Sequence, residues 1–524
     1  MSVDSIYRHT IVDKLVPILK AKGNRPYFIS LAVVCVVVQQ LYSFFVIPKY
    51  LRRFPNVSIL SFAKSFYAKE SVANRTKRLI TPLTNAGHDF YVCKIPSTWT
   101  IYITNPIAAK QLLLKTDNFP KSIELFNMLD ESNPFIQFLG TSNVAISNGE
   151  AWKNQRKIMN PAFHRAMPVE VFASIMPDLF KLIDQDSDNV PITNYMKSFT
   201  LDALGLSVFG FNFQSLKGDP EGWTKIYNLV VANLFSPWVN IFGKIDFLMK
   251  YVSSTRRKGI KATNTFNKML ENLAENRRQE IRNGKRVNIP ENEKDLLTLM
   301  IEAEIQNNLE FSIKELRQNL ALFFLAGHDT TANALTFCFY NLAKNKHVQR
   351  KLRKEILSIL GDEPEDVNPT IEQLKQMSYL TMVIKENLRL SGPVDRLLSR
   401  EALSDTNLAG TIMPKGTKIA IDIYAIHMNP KIWQNPESFI PERFEEGGEH
   451  ESHVGLTWIP FSNGSRQCLG MNFSLVEQRT VLSMILKRYE VDISKDSVHY
   501  NNIVYDKSLN FAPQSLNLIF TKRY

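Results

Sequence analysis

Apolar residues recur at helical spacing along most of the chain, and short strand-like segments lie between these stretches. The predicted helices cover residues 168–185, 201–208, 264–282, 293–305, 313–343, 348–360 and 371–390. The predicted strands cover residues 90–95, 100–103, 411–412 and 417–423. The pattern therefore predicts a mainly α fold, in which one large helical domain carries small peripheral β-sheets.

An uncharged segment lies near the N-terminus. Residues 27–47, YFISLAVVCVVVQQLYSFFVI, contain no Asp, Glu, Lys or Arg. A helix of this length spans roughly 31 Å, about the thickness of the hydrocarbon core of a bilayer. A buried core helix is the alternative, but the absence of charge favours one N-terminal transmembrane helix. The predicted organisation is an N-terminal segment at 1–26, an anchor at 27–47, a linker at 48–56 and one domain at 57–524.

Composition and charge narrow the class of partner. The chain has 524 residues, 44% of them hydrophobic, and a net charge of +12 from 63 basic and 51 acidic residues. No zinc-finger spacing or ribonucleoprotein-like motif accompanies this charge, so we expect no nucleic-acid partner. An anionic membrane surface or an acidic protein explains the excess equally well. The four cysteines, Cys35, Cys93, Cys338 and Cys468, are far apart and predict no disulfide framework.

Cys468 lies in the decapeptide FSNGSRQCLG, residues 461–470. A zinc site would need further ligands, and the nearest candidates, His450 and His453, do not have zinc-ligand spacing. A cysteine nucleophile would need a general base, which the sequence does not place. A haem iron needs neither, because one thiolate completes its protein ligation.

The residues around Cys468 suit a haem thiolate. Gly464 and Gly470 permit a tight turn and the close approach of a macrocycle. Arg466 is placed to contact a haem propionate, and Phe461 is placed to shield the sulfur from water. An amphipathic helix follows, so the cysteine lies near a helix N-terminus, where the helix dipole favours a thiolate.

The predicted helix at 313–343 begins with a capping box, SIKE, and contains an unusual centre, LFFLAGHDTTANAL. Ala326 and Gly327 remove side-chain bulk there, and Asp329 and Thr330 place polar groups inside the predicted core. One interpretation is a close helix crossing with satisfied hydroxyl groups. The other is a gap beside a cofactor, in which an acid and an alcohol pass protons.

Glu386 and Arg389 are three residues apart on a predicted helix. This spacing is weak evidence by itself, because Glu275 and Arg278 show it too and an exposed pair contributes little. Arg443 follows shortly before the cysteine loop. Two arginines sharing one carboxylate would form a buried network that fixes the approach of that loop.

The decapeptide pattern F-x-x-G-x-R-x-C-x-G resembles the haem-binding loop of cytochrome P-450 monooxygenases. Three further motifs of that family follow the same order in this sequence: W-x-x-x-R at Trp152 and Arg156, A-G-x-D-T-T at 326–331, and E-x-x-R at Glu386 and Arg389 with P-E-R-F at 441–444. Taken alone, Trp152 and Arg156 fit an ordinary amphipathic helix. Together the motifs are highly specific.

The resemblance implies a cytochrome P-450 fold and haem b with Cys468 as its axial thiolate ligand. It implies haem contacts for Trp152, Arg156, Arg400, Phe461, Arg466 and Gly470; Arg396 is the less favoured alternative to Arg400. It implies that Asp329 and Thr330 deliver protons to iron-bound dioxygen. It implies a structural salt-bridge triad of Glu386, Arg389 and Arg443.

The implied activity is insertion of one oxygen atom of O2 into a lipophilic small molecule, such as a steroid, a terpenoid or a fatty acid. Electrons would come from an NADPH-dependent flavoprotein reductase; the candidate docking residues are Lys153, Lys157, Lys487 and Arg488. The implied location is the endoplasmic reticulum membrane, single-pass, with the catalytic domain facing the cytosol. A haem-thiolate isomerase or dehydratase and a non-catalytic haem sensor are the alternatives, and the acid–alcohol pair argues against the isomerase or dehydratase.

The sequence departs from the family pattern after Arg389. The segment SGPVDR, residues 391–396, replaces the usual prolines at a position that faces the substrate, so we do not transfer a substrate pocket from relatives. Two aromatic and apolar segments, 126–140 and 228–243, are positioned like the family's access loops. They indicate a hydrophobic ligand, although aromatic residues that merely fill the core would produce the same pattern.

Overall fold

A computed structural model describes residues 34, 39, 45–68, 70–94, 98–123, 131, 133–165, 167–235, 249–285, 289–290, 294–309, 311–505 and 512–524. The chain forms two units, Met1–Phe54 and Pro55–Tyr524. The predicted anchor at 27–47 lies almost entirely outside the described residues. Among those that are described, no helix is both long enough and apolar enough to cross a membrane.

Helices make up most of the second unit. Its α-helices are Ile59–Tyr67, Val72–Leu79, Thr81–Asn85, Pro106–Leu114, Pro134–Leu139, Gly149–Arg165, Val169–Gln185, Ile192–Leu204, Trp223–Leu234, Met249–Val252, Ser254–Arg282, Leu296–Gln306, Ile313–Lys344, Lys346–Leu360, Ile371–Gln376, Ser378–Ser391, Ile423–His427 and Met471–Arg488. A π-helical turn lies at Gly205–Phe209, and 3-10 turns lie at Ser215–Lys217, Pro441–Phe444, Glu449–Ser452 and Gly464–Arg466. In the first unit, a 3-10 turn lies at Lys49–Leu51.

The β-strands in the described part of the chain are short and form three small sheets. They are β1 Phe90–Lys94, β2 Trp99–Ile103, β3 Arg400–Glu401, β4 Thr406–Leu408, β5 Thr411–Met413, β6 Lys418–Ile421, β7 Tyr489–Asp492 and β8 Ile519–Lys522. The largest sheet has the order β1-β2-β6-β3, in which β2 and β6 are parallel and the other pairs antiparallel. β4 pairs with β5, and β7 pairs with β8. The predicted mainly helical fold with small sheets is confirmed.

The helix Ile313–Lys344, called the long helix below, runs through the hydrophobic core. Its N-terminus has the predicted capping box, in which Ser312 Oγ accepts from the Glu315 N–H and the Glu315 carboxylate accepts from the Ser312 N–H. Most of its side chains are buried, because it packs against several helices, above all Ile192–Leu204 and Ser254–Arg282. It thereby carries the AGHDTT segment into the centre of the unit.

Two predicted helices differ from the observed ones for tertiary reasons. The segment predicted as a helix at 201–208 contains the end of the helix Ile192–Leu204 and most of the π-helical turn that follows it. At the start of this turn only glycine fits, because a Cβ on Gly205 would lie 2.5 Å from the Phe211 carbonyl oxygen. The predicted helix at 371–390 is two helices, because Glu355 from a neighbouring helix accepts hydrogen bonds from the backbone N–H groups of Tyr379 and Leu380 at 2.7 and 2.9 Å. No sequence pattern reveals a cap supplied from another element.

Candidate active site

One cavity lies between the cysteine loop, residues 461–470, and the middle of the long helix. Most of its surface is apolar, and its polar and charged groups come from a few residues. The lining residues include Lys121, Arg156, Phe163, Leu204, Val208, Leu322, Phe323, Ala326, Gly327, Thr330, Thr331, Leu398, Phe461, Arg466, Gln467, Cys468, Gly470, Phe473 and Ser474. Of the predicted site residues, six line this cavity directly: Arg156, Thr330, Phe461, Arg466, Cys468 and Gly470.

The cysteine loop is held in a tight turn. The Cys468 N–H donates to the Phe461 carbonyl at 3.0 Å, which closes the loop. Gly464 has a φ of +72°, and a Cβ there would lie 2.8 Å from the Leu113 carbonyl oxygen, so this position requires glycine. Gly470 has an ordinary φ of −83° and precedes the helix Met471–Arg488; it contributes space at the cavity wall rather than an unusual backbone conformation.

The Cys468 thiol is exposed and lines the cavity. Burial raises the pKa of this thiol, and a hydrogen bond from the Gly470 N–H and the charge of Arg156 partly oppose that rise. These two groups favour the thiolate without offsetting its full desolvation. A metal cation bound at the sulfur would supply the remaining stabilisation.

Arg466 lies between the cavity and the helix Gly149–Arg165. Its guanidinium stacks 3.8 Å from the centre of the Trp152 ring and donates to the Ser147 carbonyl at 2.7 Å and to Asn148 Oδ1 at 3.0 Å. The Asn148 amide also exchanges two hydrogen bonds of 2.9 Å with the backbone of Lys121. These contacts hold Arg466, Trp152 and Lys121 at the same end of the cavity.

Arg156 and Arg400 complete a cluster of four cations with Lys121 and Arg466. Arg156 donates to the Gln467 carbonyl at 2.5 Å, and Arg400 pairs with Lys121 through a β-bridge while its Nη1 contacts backbone carbonyls at 3.3 and 3.4 Å. Three buried donors in this region have no hydrogen-bond partner within the described part of the chain: Trp152 Nε1, Arg156 Nε and Arg400 Nη2. Unpaired buried donors of this kind are costly unless an acceptor binds them.

The electrostatics of the cation cluster favour an anionic occupant. Burial, reinforced by repulsion from the other cations, lowers the pKa of Lys121 to about 7 and that of Arg466 to about 9. Burial lowers the pKa of Arg400 to about 10. Carboxylates in the cavity would relieve this repulsion and accept from the unpaired donors. Sequence reasoning missed Lys121, which lies in no motif and reaches the cluster only through the fold.

The long helix lines the cavity with Ala326, Gly327 and Thr330, and at Gly327 it packs closely against the helix Ile192–Leu204. A Cβ on Gly327 would lie 2.8 Å from Leu204 Cδ1, so a larger residue would displace that side chain. Thr330 faces the cavity, and its hydroxyl donates to the Ala326 carbonyl at 2.6 Å. The helix is continuous from Ile313 to Lys344, so this bond satisfies the hydroxyl without interrupting the helix.

Asp329 does not line the cavity and lies among different groups from Thr330. Its Oδ1 is 3.4 Å from His328 Nδ1, and Tyr227 and Lys197 lie close to it. Burial by itself raises the pKa of Asp329, but His328, Lys197 and Tyr227 together lower it below its ordinary value. The predicted acid–alcohol pair therefore occupies two different faces of the long helix.

Glu386, Arg389 and Arg443 form one buried network. Arg389 Nε and Nη2 donate to the two carboxylate oxygens of Glu386 at 2.7 and 2.9 Å, and Arg443 Nε donates to Glu386 Oε1 at 3.2 Å. The same oxygen accepts from the Ile440 N–H at 3.0 Å, while Arg389 also donates to the His427 carbonyl at 2.7 Å. One carboxylate thus ties the helix Ser378–Ser391 to the segment that precedes the cysteine loop.

The second Glu–Arg pair at this spacing does not form. Arg278 donates instead to Glu304, with a shortest N–O distance of 2.8 Å, and to the Phe311 carbonyl. Arg396, the less favoured haem-contact candidate, lies against Tyr102 with its Nε 3.6 Å from Asp422 Oδ2, and it does not line the cavity.

Of the four basic residues predicted to dock a reductase, Lys487 is buried and Arg488 is mostly buried. Lys487 is buried, and its Nζ donates to the carbonyls of residues 361 and 363 at 2.8 and 2.9 Å. Arg488 is paired with Asp184 and Asp366 at 2.9 and 2.6 Å. The prediction was wrong for Lys487, because a charged residue in sequence does not reveal a buried carbonyl partner. Lys153 pairs with Glu150, and Lys157 is exposed.

Comparison with known proteins identifies the family. The family model described as Cytochrome P450 matches residues 65–514. This chain belongs to the cytochrome P450 family. Among its relatives, the chloroplastic carotene epsilon-monooxygenase of Arabidopsis thaliana is 30% identical over 427 residues, covering 78% of this chain and 77% of the relative. Cytochrome P450 4A10 of Mus musculus is 31% identical over 408 residues, covering 75% of each chain.

The fold is that of solved P450 structures. The heme domain of a cytochrome P450DA variant superposes with a TM-score of 0.75 at 20% identity, covering 90% of this chain and 98% of that structure. The protein is therefore a cytochrome P450 monooxygenase, whose cofactor is a haem ligated by a cysteine thiolate. The cavity fits that cofactor: it offers one thiol, a cluster of four cations with unpaired donors for two propionates, and an apolar wall.

Proposed function

We propose that this P450 inserts one oxygen atom of O2 into a lipophilic small molecule, with Cys468 as the axial ligand of its haem. The observation that carries the proposal is that Cys468 and Thr330 line the same largely apolar cavity, from two different elements, with the cation cluster at one end. Of the four cysteines, Cys468 alone lies in the loop that fits a haem thiolate, whereas Cys93 and Cys338 are buried elsewhere in the core.

The bound haem supplies the redox chemistry that activates dioxygen. Cys468 contributes the thiolate, which the Gly470 N–H and Arg156 stabilise. Arg466, which stacks on Trp152, would place its positive charge beside the haem propionates.

The other groups have separate roles. Arg400 and Arg156 would bind the propionates with the donors that the protein leaves unpaired, and Lys121 would add positive charge beside them. Thr330 holds a proton at the cavity wall, and Asp329, which lies on another face of the helix, is the acid of the pair. Phe461 keeps water from the sulfur. The triad of Glu386, Arg389 and Arg443 is structural and has no chemical role.

The apolar part of the cavity supports a lipophilic substrate. Bulky hydrophobic side chains form this part: Phe163, Leu204, Val208, Leu322, Phe323 and Leu398. They offer few hydrogen bonds, so a substrate is selected by shape and apolar contact. A steroid, a terpenoid or a fatty acid meets this requirement, and the relative that is named for carotene supports an extended apolar molecule.

The electron donor and the location complete the proposal. An NADPH-dependent flavoprotein reductase supplies electrons at the face near Lys153 and Lys157, which are the two exposed candidates of the predicted four. The uncharged segment at 27–47 supports a single-pass anchor in the endoplasmic reticulum membrane, with the catalytic domain facing the cytosol.

The test is a screen of haem-loaded protein against a library of lipophiles, read by the spin-state change that accompanies displacement of the water ligand of the iron. Compounds that cause the change are then incubated with NADPH and a flavoprotein reductase, and products are identified by mass spectrometry. We expect an oxygenated product for at least one class. NADPH consumption that no lipophile stimulates would refute the proposed activity.

A further inference from the structure

Arg396 ends the segment SGPVDR, residues 391–396, which keeps only one proline where the family usually has several. The chain runs on from this segment to Arg400, the first residue of β3, and Leu398, two residues after Arg396, lines the cavity. Prolines would restrict the backbone ahead of Leu398 through their fixed φ. Other contacts must therefore hold this part of the cavity wall in place.

The Arg396 side chain lies inside the protein, beside carboxylates and aromatic rings. It is 12% exposed, and its Nε lies 3.6 Å from Asp422 Oδ2 and 3.9 Å from Asp395 Oδ2, which are ion-pair rather than hydrogen-bond distances. The guanidinium carbon lies 5.1 Å from the centre of the Tyr102 ring and 5.8 Å from that of the Phe62 ring. Ion pairing and cation–π contacts thus hold the charge away from most of the solvent.

Asp422, the buried partner of Arg396, is fixed to the four-stranded sheet. It is 1% exposed. Its Oδ2 accepts from the Tyr91 hydroxyl at 2.6 Å, and its Oδ1 accepts from the Ala425 N–H at 2.9 Å, which caps the helix that follows. The Asp422 N–H donates to the Ile103 carbonyl, in β2, at 3.0 Å. Both side-chain oxygens accept hydrogen bonds, as those of an ionised carboxylate do, so Arg396 pairs with an anion that the sheet holds in place.

A second arginine near this pair makes the charge balance matter. Arg75 is 4% exposed, and its guanidinium carbon lies 4.9 Å from the centre of the Phe62 ring. Arg396 repels it, whereas Asp395 and Asp422 attract it. Without the charge of Arg396, two carboxylates would face a single buried guanidinium, and this imbalance disfavours the present packing.

The backbone pairs the same segment with the end of β6. Arg396 and Asp422 face each other in an antiparallel bridge. Backbone hydrogen bonds of 3.0 Å join the segment to its neighbours on both sides: from the Leu397 N–H to the Ile421 carbonyl and from the Ser122 N–H to the Ser399 carbonyl. Such bonds repeat along a strand, so the side chains decide which residues face each other. The Arg396–Asp422 ion pair therefore favours the register in which Leu398 lines the cavity.

We propose that Arg396 is a positioning residue that determines substrate specificity: its ion pair with Asp422 fixes the register of residues 395–400 and thereby the place of Leu398 in the cavity wall. The proposal rests on the proposed function, since a lipophilic substrate is bound against that wall. It gives a role to the segment in which this sequence departs from the family pattern.

Three substitutions separate the ion pair from the packing around it. Arg396→Met keeps an unbranched side chain that packs on the same rings but removes the charge, whereas Arg396→Lys keeps the charge. Asp422→Asn removes the charge of the partner and keeps an oxygen that caps the following helix. Arg278→Met is the matched control, because Arg278 is 10% exposed and lies 2.8 Å from Glu304, which is 4% exposed, and neither residue lines the cavity.

The first readout is hydrogen exchange around Leu397 in the haem-loaded protein, measured by mass spectrometry on peptides that cover residues 393–401. We expect Arg396→Met to exchange at least about tenfold faster there, because a buried carboxylate that loses its cation strongly destabilises its surroundings. Arg396→Lys should fall between this variant and the wild type, and Arg278→Met should match the wild type in these peptides.

Asp422→Asn should accelerate the same exchange. Combined with Arg396→Met, it should produce no exchange faster than that of the faster single variant, because both substitutions remove one shared contact. Wild-type exchange in Arg396→Met, or effects of the two substitutions that add, would overturn the proposal.

The second readout is the product ratio for a lipophile that the wild type oxygenates at two positions. Leu398→Ala shows how the ratio responds to this part of the wall. We expect Arg396→Met to change the ratio at least about threefold in the same direction, with the haem content and the Soret band of the reduced carbon monoxide complex as in the wild type. Arg396→Lys should lie closer to the wild type. If Leu398→Ala or Arg396→Met left the ratio unchanged, or if Arg278→Met changed it equally, the proposal would be overturned.

The two readouts also separate this proposal from the proposed function. If Arg396→Met yields no haem-loaded protein, Asp422→Asn carries both measurements, and wild-type values for that variant would overturn the proposal. A wild type that oxygenates no lipophile refutes the proposed function, while hydrogen exchange still decides whether Arg396 holds the segment. A wild type with lipophile turnover and an Arg396→Met variant identical to it in both readouts refutes only the role of Arg396.

Discussion

Arg389→Ala tests whether the buried network holds the fold together around the haem. The guanidinium makes two charge-assisted bonds to Glu386 and further bonds to the carbonyls of His427 and Pro436 at 2.7 and 2.8 Å. Both Glu386 and Arg389 are 0% exposed. The substitution therefore leaves a buried carboxylate with only Arg443 as its cationic partner and two carbonyls without this donor.

The expected cost follows from these contacts. Breaking a buried ion pair costs about 3–5 kcal/mol, and a buried carbonyl that loses its donor adds about 1 kcal/mol or more. The sum is on the order of 5 kcal/mol, comparable with the total stability of about 5–15 kcal/mol of a folded protein. Arg389→Lys should fall between Arg389→Ala and the wild type, because an ammonium keeps the charge but not the two parallel bonds.

The assay is the ratio of haem to polypeptide after purification, with the urea midpoint of whatever folded protein is obtained. We expect little haem-loaded Arg389→Ala. Lys153→Ala is the matched control: Glu150 and Lys153 are also three residues apart and 2.8 Å from each other, but their side chains are 77% and 57% exposed. An exposed pair contributes about 0–1 kcal/mol. If Arg389→Ala bound a normal amount of haem and unfolded at the same urea concentration as Lys153→Ala, the reasoning would be refuted.

Three further predictions concern the cavity. Cys468→Ser should abolish the red-shifted Soret band of the reduced carbon monoxide complex, and a retained band would contradict the ligand assignment. Thr330→Ala should keep its haem content but consume NADPH without matching product, whereas unchanged coupling would argue against proton delivery. Lys121→Met should weaken haem binding to the apoprotein by about tenfold, since a charge-assisted hydrogen bond contributes about 1.5–3 kcal/mol; exposed Lys110→Met is its control. In wild-type apoprotein the pKa of Lys121 is about 7. A propionate raises that pKa, so the affinity for haem should be constant below pH 7 and fall above it. Lys121→Met should not show this fall, and a wild-type affinity that does not change with pH would contradict the role of Lys121.

Three pairs at the same spacing, two Glu–Arg pairs and the Glu150–Lys153 pair, show why part of the site cannot be predicted from sequence. Glu386 and Arg389 form an ion pair in the core, and Glu150 and Lys153 form one at the surface. Arg278 pairs with Glu304 instead of Glu275. Spacing places two side chains on one helix face. The surroundings of that face, which belong to other elements, set the strength of the pair and the choice of partner.

The sequence by itself determined the family, the helical class and the haem-binding loop. These features depend on local requirements: a glycine at the positive φ of residue 464, a capping box at Ser312 and a fixed order of motifs. They are readable because each requirement acts on residues that are close together in the chain.

Only the tertiary structure brought Lys121 into the cation cluster, turned Asp329 away from the cavity towards His328, and buried Lys487 against backbone carbonyls. Each of these outcomes depends on partners far away in the chain. The free energy of a charged group is set by its desolvation and by the groups that face it in space. That environment exists only after the helices have packed.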